Sequence, residues 1–171
     1  MSPLGNTMPA EEAYLDIETT GLSADSCEIT VTGIYRWAPH AADCVQLVGR
    51  DNTADNILEV LEGIPVIYTY NGRRFDLPFI HSCAGINLER LFSHRDLMFD
   101  CWRNNLRGGL KSVERQLGIR RELPDVNGLE AVRLWWRYVE TFDLEALEKL
   151  LAYNREDVVN LKTLKEMLCP G

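Results

Sequence analysis

Apolar and polar positions along this chain change period twice, and the changes outline its elements. In "AYLDIE" (13–18), Leu15 and Ile17 alternate with Asp16 and Glu18, the period of two of a strand. "EITVTGIYRW" (28–37) and "DCVQLVG" (43–49) are two further β-rich stretches, joined by the short, turn-forming links "GLSADS" and "APHAA". Links that short predict an antiparallel meander of three strands. "NTADNILEVLEG" then reads as a helix, with Asn52 or Thr53 as cap, Ile57, Val60 and Leu61 as its apolar stripe, and Gly63 and Pro65 as its stop. "PVIYTY" (65–70) is a compact buried strand suited to a parallel place beside the first. "NGRRFDLPFIHSCAG" predicts a turn and a short helix that tolerates Pro78 in its first turn and ends at Gly85, and "RDLMF" a short fifth strand.

From about residue 99 the helical period takes over. "GGLKSVERQLGI" places Leu110, Val113 and Leu117 on one side, with Gly118 just past the end. "GLEAVRLWWRYVE" continues the pattern, and Asp143 opens the last and longest helix, reaching about Leu168. Its expected stripe is Leu144, Leu147, Leu151, Val158 and Leu161. The order predicts an α/β fold: a five-stranded mixed sheet, three antiparallel strands then two parallel, flanked by helices. One domain over 13–168 is expected, preceded by a frayed tail at 1–12.

Composition narrows the class. A chain of 171 residues with 46% apolar and 26% charged positions can bury a full core. No apolar run approaches the ~20 residues of a membrane span. The five cysteines (Cys27, Cys44, Cys83, Cys101, Cys169) form no C-x-x-C pair and suit packing in a reducing cytoplasm better than a disulfide framework or zinc. Net charge is −8, yet six basic residues between 101 and 121 (Arg103, Arg107, Lys111, Arg115, Arg120, Arg121) face one acid, Glu114. That stretch reads either as a solvated helix face or as a surface for a phosphate backbone. Trp102, Trp135, Trp136 and Tyr138 have helical spacing and are expected mainly to pack.

The chemistry lies in acids placed where a fold should resist them. Asp16 and Glu18 share one face of a strand otherwise built for burial. Tyr153 and Asp157, four residues apart, stack on one face of the last helix at the margin of its stripe, while Asn154 falls nearer the middle as a hydrogen-bonded structural residue. Asp76 follows the parallel strand, so the carboxyl ends of both strands open on one side, where open α/β sheets receive ligands. Four carboxylates in one cleft repel one another until divalent cations neutralise them. All-oxygen donors suit Mg²⁺ or Mn²⁺, and two such ions stabilise both oxygens exchanged at a phosphodiester.

"DIETTG", "YNGRRFD" and "YNRED" resemble, in order, the three exonuclease motifs of the DnaQ-like 3′–5′ exonucleases in the ribonuclease H-like superfamily. The Y-x₃-D ending is that of the tyrosine (DEDDy) subclass. "GGLKSVERQLGI" and its spacing to "LLAYNREDVVNL" look closest to the YprB-type predicted exonucleases. The resemblance spans roughly 13–168. It implies that Asp16, Glu18 and Asp157 hold a first metal, that Asp16 bridges to a second supported by Asp76, and that Tyr153 orients the attacking water. Thr19, Thr20, Gly21, Leu22, Asn71, Arg73 and Arg74 would contact the 3′ end of a DNA or RNA strand, single-stranded by expectation, and nucleoside 5′-monophosphates would leave. A ribonuclease H-like module that grips nucleic acid or a protein without cutting, and an endonuclease of the same fold, are the alternatives.

Overall fold

The computed structural model describes residues 10–168. One sheet carries five strands in the order β3-β2-β1-β4-β5. β1 (Glu12–Thr19), β2 (Ile29–Ala38) and β3 (Ala41–Val48) form the antiparallel meander, while β4 (Val66–Thr69) and β5 (Ser93–Asp96) add in parallel on the other side of β1. The helices are α1 (Ala54–Val60), α2 (Asp76–Ala84), α3 (Leu88–Leu91), α4 (Leu97–Arg103), α5 (Leu110–Leu117), α6 (Gly128–Thr141) and α7 (Leu144–Leu168).

β1 is the central strand, and its alternation decides what each face receives. Ala13, Leu15 and Ile17 pack with Ile57, Leu77, Ile80 and Leu88 of the first three helices. Tyr14 points the other way, stacks on Tyr68 with centroids 5.2 Å apart, and joins Leu97, Val113, Val158 and Leu161 from α4, α5 and α7. A third cluster sets Ala131 and Leu134 of α6 against Ala146 and Leu150 of α7 over Val31 of β2. Each such fully buried aliphatic side chain contributes roughly 1.5–3 kcal/mol. Asp16 and Glu18 therefore face α7.

Local signals account for most boundaries. Thr53, not Asn52, caps α1, its Oγ1 accepting from the Asn56 N–H at 3.3 Å, while the Asn52 amide donates to the Gly49 carbonyl at 2.8 Å. Asp143 Oδ1 accepts from the Ala146 N–H at 3.0 Å at the head of α7. The fifth strand differs from expectation. It runs Ser93–Asp96, and the Asp96 carboxylate accepts from the Met98 N–H at 3.1 Å, so Leu97 and Met98 begin a helix instead. α3, one turn long, is too short to leave a periodic signature.

The stripe of α7 also differs. Leu144 is exposed, and the buried line runs through Ala146, Leu150, Tyr153, Asn154, Asp157, Val158, Leu161 and Leu164. α7 packs on the sheet along one side and on α6 along another, which widens its buried arc and puts Tyr153 and Asp157 inside it rather than at the margin. The aromatics expected to pack are only half-buried at Trp102, Trp135 and Tyr138, and Trp136 is exposed. Of the cysteines, Cys101 is buried, Cys27 and Cys44 are half-buried, and Cys83 is exposed. Cys169 and positions 1–9 of the expected tail lie outside the described residues, and Glu12 already belongs to β1. No helix among the described residues is long and apolar enough to cross a membrane.

Candidate active site: carboxylates between the central strand and the last helix

Asp16 and Glu18 from β1 and Asp157 from α7 each bring a carboxylate oxygen within 4.8 Å of the other two. Parallel pairing of β1 with β4, Tyr14 beside Tyr68, brings the chain that leaves β4 back to the same end of the sheet. There Asp76, in the first turn of α2, accepts a hydrogen bond from the Ile17 N–H at 3.0 Å. Its carboxylate is thus tied to the strand between the two acids, beside the trio rather than within it. All four acids line a cavity of about 500 Å³ together with Thr19, Thr20, Gly21, Leu22, Asn71 and Tyr153. A larger cavity of about 620 Å³, with Arg50 and Trp135 in its wall, has Glu28 as its only lining carboxylate. Chemistry, not size, selects the site.

Burial and mutual repulsion favour the protonated form of these acids. Burial first, and the charge of Asp157 second, hold Asp16 and Glu18 well above the usual carboxylate range. Burial pushes Asp76 up to about 7, against the pull of its backbone donors. Asp157 is raised by burial to about 6, with Arg121 opposing the rise. Only oxygen donors are present among these acids, a set that suits a hard divalent cation such as Mg²⁺ or Mn²⁺ better than zinc.

Tyr153 is 7% exposed and its pKa is raised, by burial and then by the charges of Asp157, Glu18 and Asp16. It remains a protonated phenol, a hydrogen-bond donor rather than a base. Asn154 does more than fill the core. It is fully buried, its Nδ2 donates to Asp16 Oδ2 at 3.2 Å, and its Oδ1 accepts from Gln46 Nε2 at 2.9 Å. Gly33 on β2 makes room for it, since a Cβ there would lie 2.2 Å from Asn154 Oδ1.

The partners that surround Asp157 and Tyr153 are not evident as site residues from sequence. Arg121, its side chain 6% exposed, donates from Nη1 to both Glu114 oxygens at 2.9 and 2.8 Å and from Nη2 to Asp157, with Glu156 at 3.3 Å. Asn160 Nδ2 donates to Glu114 at 2.9 Å. Lys111 Nζ and the Arg121 guanidinium lie 4.8 and 5.5 Å from the Tyr153 ring centroid. The basic run from 101 to 121 is therefore not one face. Lys111 and Arg121 turn into the acidic site, and Arg103 and Arg107 turn away from it. The one available signal was Glu114, a lone acid within the basic run.

The expected substrate contacts divide. Thr19 Oγ1 donates to the Gly21 carbonyl at 2.6 Å and Thr20 Oγ1 accepts from the Glu28 N–H at 2.9 Å, so both hydroxyls hold their own turn. Leu22 stands 90% exposed at the rim. Asn71, at φ 60°, donates its N–H to Asp96 Oδ1 at 2.8 Å, and the next residue must be glycine because a Cβ at Gly72 would meet Thr69 Oγ1 at 2.2 Å. Asp96 also accepts from the Arg73 N–H at 3.1 Å, making it the organiser of this loop. Arg73 and Arg74 do not line the cavity, because this loop turns them outward. Arg73 lines a neighbouring groove and Arg74 stacks on Phe99 and Trp102.

The sequence profile of the RNase_H superfamily matches residues 13–169. No curated protein sequence matches the chain. Among solved structures, the chain is similar to Brucella melitensis NrnC bound to pGG, at 22% identity and a TM-score of 0.64, covering 98% of this chain and 76% of that one. Brucella melitensis NrnC with bound Mg²⁺ is similar over the same shares, at 21% identity and a TM-score of 0.62. At these identities the likeness speaks to the fold, which agrees with the observed sheet order.

Proposed function

This chain belongs to the RNase_H superfamily, and on that footing we propose that it is a metal-dependent 3′–5′ exonuclease hydrolysing phosphodiester bonds of DNA or RNA. Nucleoside 5′-monophosphates are the products. The observation that carries the reading is the meeting of Asp16, Glu18 and Asp157, far apart along the chain, within 4.8 Å. Asp76 beside them and Tyr153 four residues before Asp157 complete the set of the tyrosine subclass, and the YprB-type group is the nearest subdivision in motif and spacing. The Mg²⁺ and pGG held by NrnC are in keeping with this pocket.

Asp16, Glu18 and Asp157 would hold one divalent ion, and Asp76 together with Asp16 would support a second. When bound, the ions supply the positive charge that offsets the growing negative charge on the attacking and leaving oxygens. The chain's own groups do the positioning. Asn154 fixes Asp16, the Ile17 N–H fixes Asp76, and Arg121 fixes Asp157. The Tyr153 phenol, kept protonated, donates to and orients the attacking water. Leu22 and Leu129, both exposed at the cavity, offer apolar contact to the terminal base, and the Thr19–Leu22 turn and Asn71 bound the 3′ end.

One observation favours a second reading, a scaffold that binds nucleic acid without cutting it. Arg121 already pairs with Asp157, as an internal counter-ion would in a site that had dispensed with metal. A 5′-labelled single-stranded 10-mer incubated with Mn²⁺ separates the two. Exonuclease action gives a ladder shortening by single nucleotides, spares a closed circle, and disappears in Asp16→Ala. Undiminished cleavage by Asp16→Ala, or cleavage of the circle, overturns the proposal, and no cleavage by the unaltered chain favours the scaffold.

A further inference from the structure

Two residues beyond Asn71 in the same loop, Arg73 lines an open groove with Phe99, Trp102, Arg103 and Arg107. The groove is basic on a chain whose net charge is −8. The Arg74 guanidinium lies 5.7 Å from the Phe99 ring and 5.5 Å from the Trp102 ring, and that of Arg107 lies 5.6 Å from the same Trp102 ring. Phe99 and Trp102 meet edge to face at 5.3 Å and brace the stack.

Acids compensate only part of this charge. Arg103 pairs with Asp100 at 2.5 Å and Arg73 with Glu89 at 3.2 Å. Arg74 and Arg107 have no ion-pair partner among the described residues. Stacking on a ring orients a guanidinium but fills none of its N–H donors. Two such cations held against one indole repel each other and present unfilled donors outward. An anion carrying several oxygens removes both defects.

The groove also adjoins the acidic cavity. Tyr70 lines that cavity, and its hydroxyl donates to the carbonyl of Gly108, the residue after Arg107, at 2.6 Å. Asn71 lines the cavity and Arg73 the groove, and residues two apart lie within about 7 Å. One polymer can therefore occupy both. We infer that this groove seats the phosphodiester backbone of single-stranded nucleic acid 5′ of the terminal nucleotide, with Arg74 and Arg107 taking phosphates and Trp102 offering its exposed edge to a base. Half-exposed aromatics between arginines are the makings of a single-strand platform, and a duplex would hide the base faces they serve. The polarity of the strand rests on the proposed function; the anion-binding character of the groove does not.

Fluorescence anisotropy with 5′-labelled thymidylate 10-mer and dimer, in chelator so that no hydrolysis occurs, reads the groove by itself. The unaltered chain binds the 10-mer more tightly than the dimer. Arg107→Glu weakens the 10-mer by about tenfold or more and lowers the slope of log affinity against log salt by about one. Trp102→Ala weakens the 10-mer about three- to tenfold. A melting temperature matching the unaltered chain certifies that each variant is folded, and Arg107→Ala, removing charge without reversing it, gives an intermediate loss. The inference is overturned if Arg107→Glu binds the 10-mer like the unaltered chain, if dimer and 10-mer lose equally, or if polyglutamate binds more tightly than the oligonucleotide, which would mark an acidic protein partner. Arg107-dependent binding of the 10-mer by a chain that cleaves nothing with Mn²⁺ overturns the exonuclease proposal and upholds the groove.

Discussion

The acidic cavity and the basic groove are built on opposite logic although one loop, Tyr70 to Arg74, forms a wall of both. In the cavity, like charges are buried, tied to backbone and amide partners, and forced to hold protons well above their ordinary range. In the groove, like charges are exposed and set against aromatic faces. The first arrangement concentrates a demand for cations in a fixed place, at a cost in stability. The second offers anions a surface at almost none. A strand that threads both would be gripped loosely along its length and held rigidly at its end.

The comparison can be tested through stability. The largest effect is expected at Arg121, the buried cation that serves the acidic side. Arg121→Met leaves Glu114 and Asp157 without their partner and should lower the unfolding free energy by roughly 3–5 kcal/mol in urea titration. A loss under 1 kcal/mol would mean that the network is decorative.

Next comes pH. Burial lifts Asp76 to about 7 and Asp157 to about 6, whereas both titrate near ~3.9 when unfolded. Between these limits the folded chain holds more protons than the unfolded one, so stability falls as pH rises. The metal-free protein should lose several kcal/mol from these groups as pH rises from 4, most of it before pH 7, and level off only above about pH 8, past the folded value of Asp76. Asp76→Asn keeps an oxygen to accept from Ile17 and should flatten that slope. An unchanged slope would contradict the burial argument.

Smaller again is Gly33→Ala. Its methyl would press on Asn154 at 2.2 Å, and the forced shift should cost about 1–3 kcal/mol and loosen Asp16. At the groove, Arg107→Ala should stay within ~0.5 kcal/mol of the unaltered chain, since it breaks one exposed stack. Equal costs at Arg107 and Arg121 would abolish the distinction between the two regions.

How much of this was legible beforehand follows from the range of the forces involved. Alternation in "YLDIE" set Asp16 and Glu18 on one face, and short turn-rich links fixed the meander, because both are local. Spacing on one helix kept Tyr153 and Asp157 together. What escaped was tertiary. Arg121 reads as one base in a basic run until α5 and α7 close around it. Asp96 reads as a strand residue, yet it caps α4 and ties down the Asn71–Arg73 loop. The stripe of α7 was drawn for a helix with one packed side, while contact with both the sheet and α6 buries polar Asn154, Asn160 and Lys162 through specific partners. Arg73 and Arg74 stand next to the site in sequence and outside its cavity in space, because the turn that delivers Asp76 inward leaves them outward.

The activity proposed for this chain depends on the carboxylate cluster taking up divalent cations. Calorimetric titration with Mn²⁺ near pH 7, in two buffers of different ionisation enthalpy, tests it without any assay of hydrolysis. Binding that releases protons, because carboxyls held above their usual range must give them up, and that is lost in Asp157→Asn is the predicted result. No binding heat, or binding that survives Asp157→Asn unchanged, would contradict it.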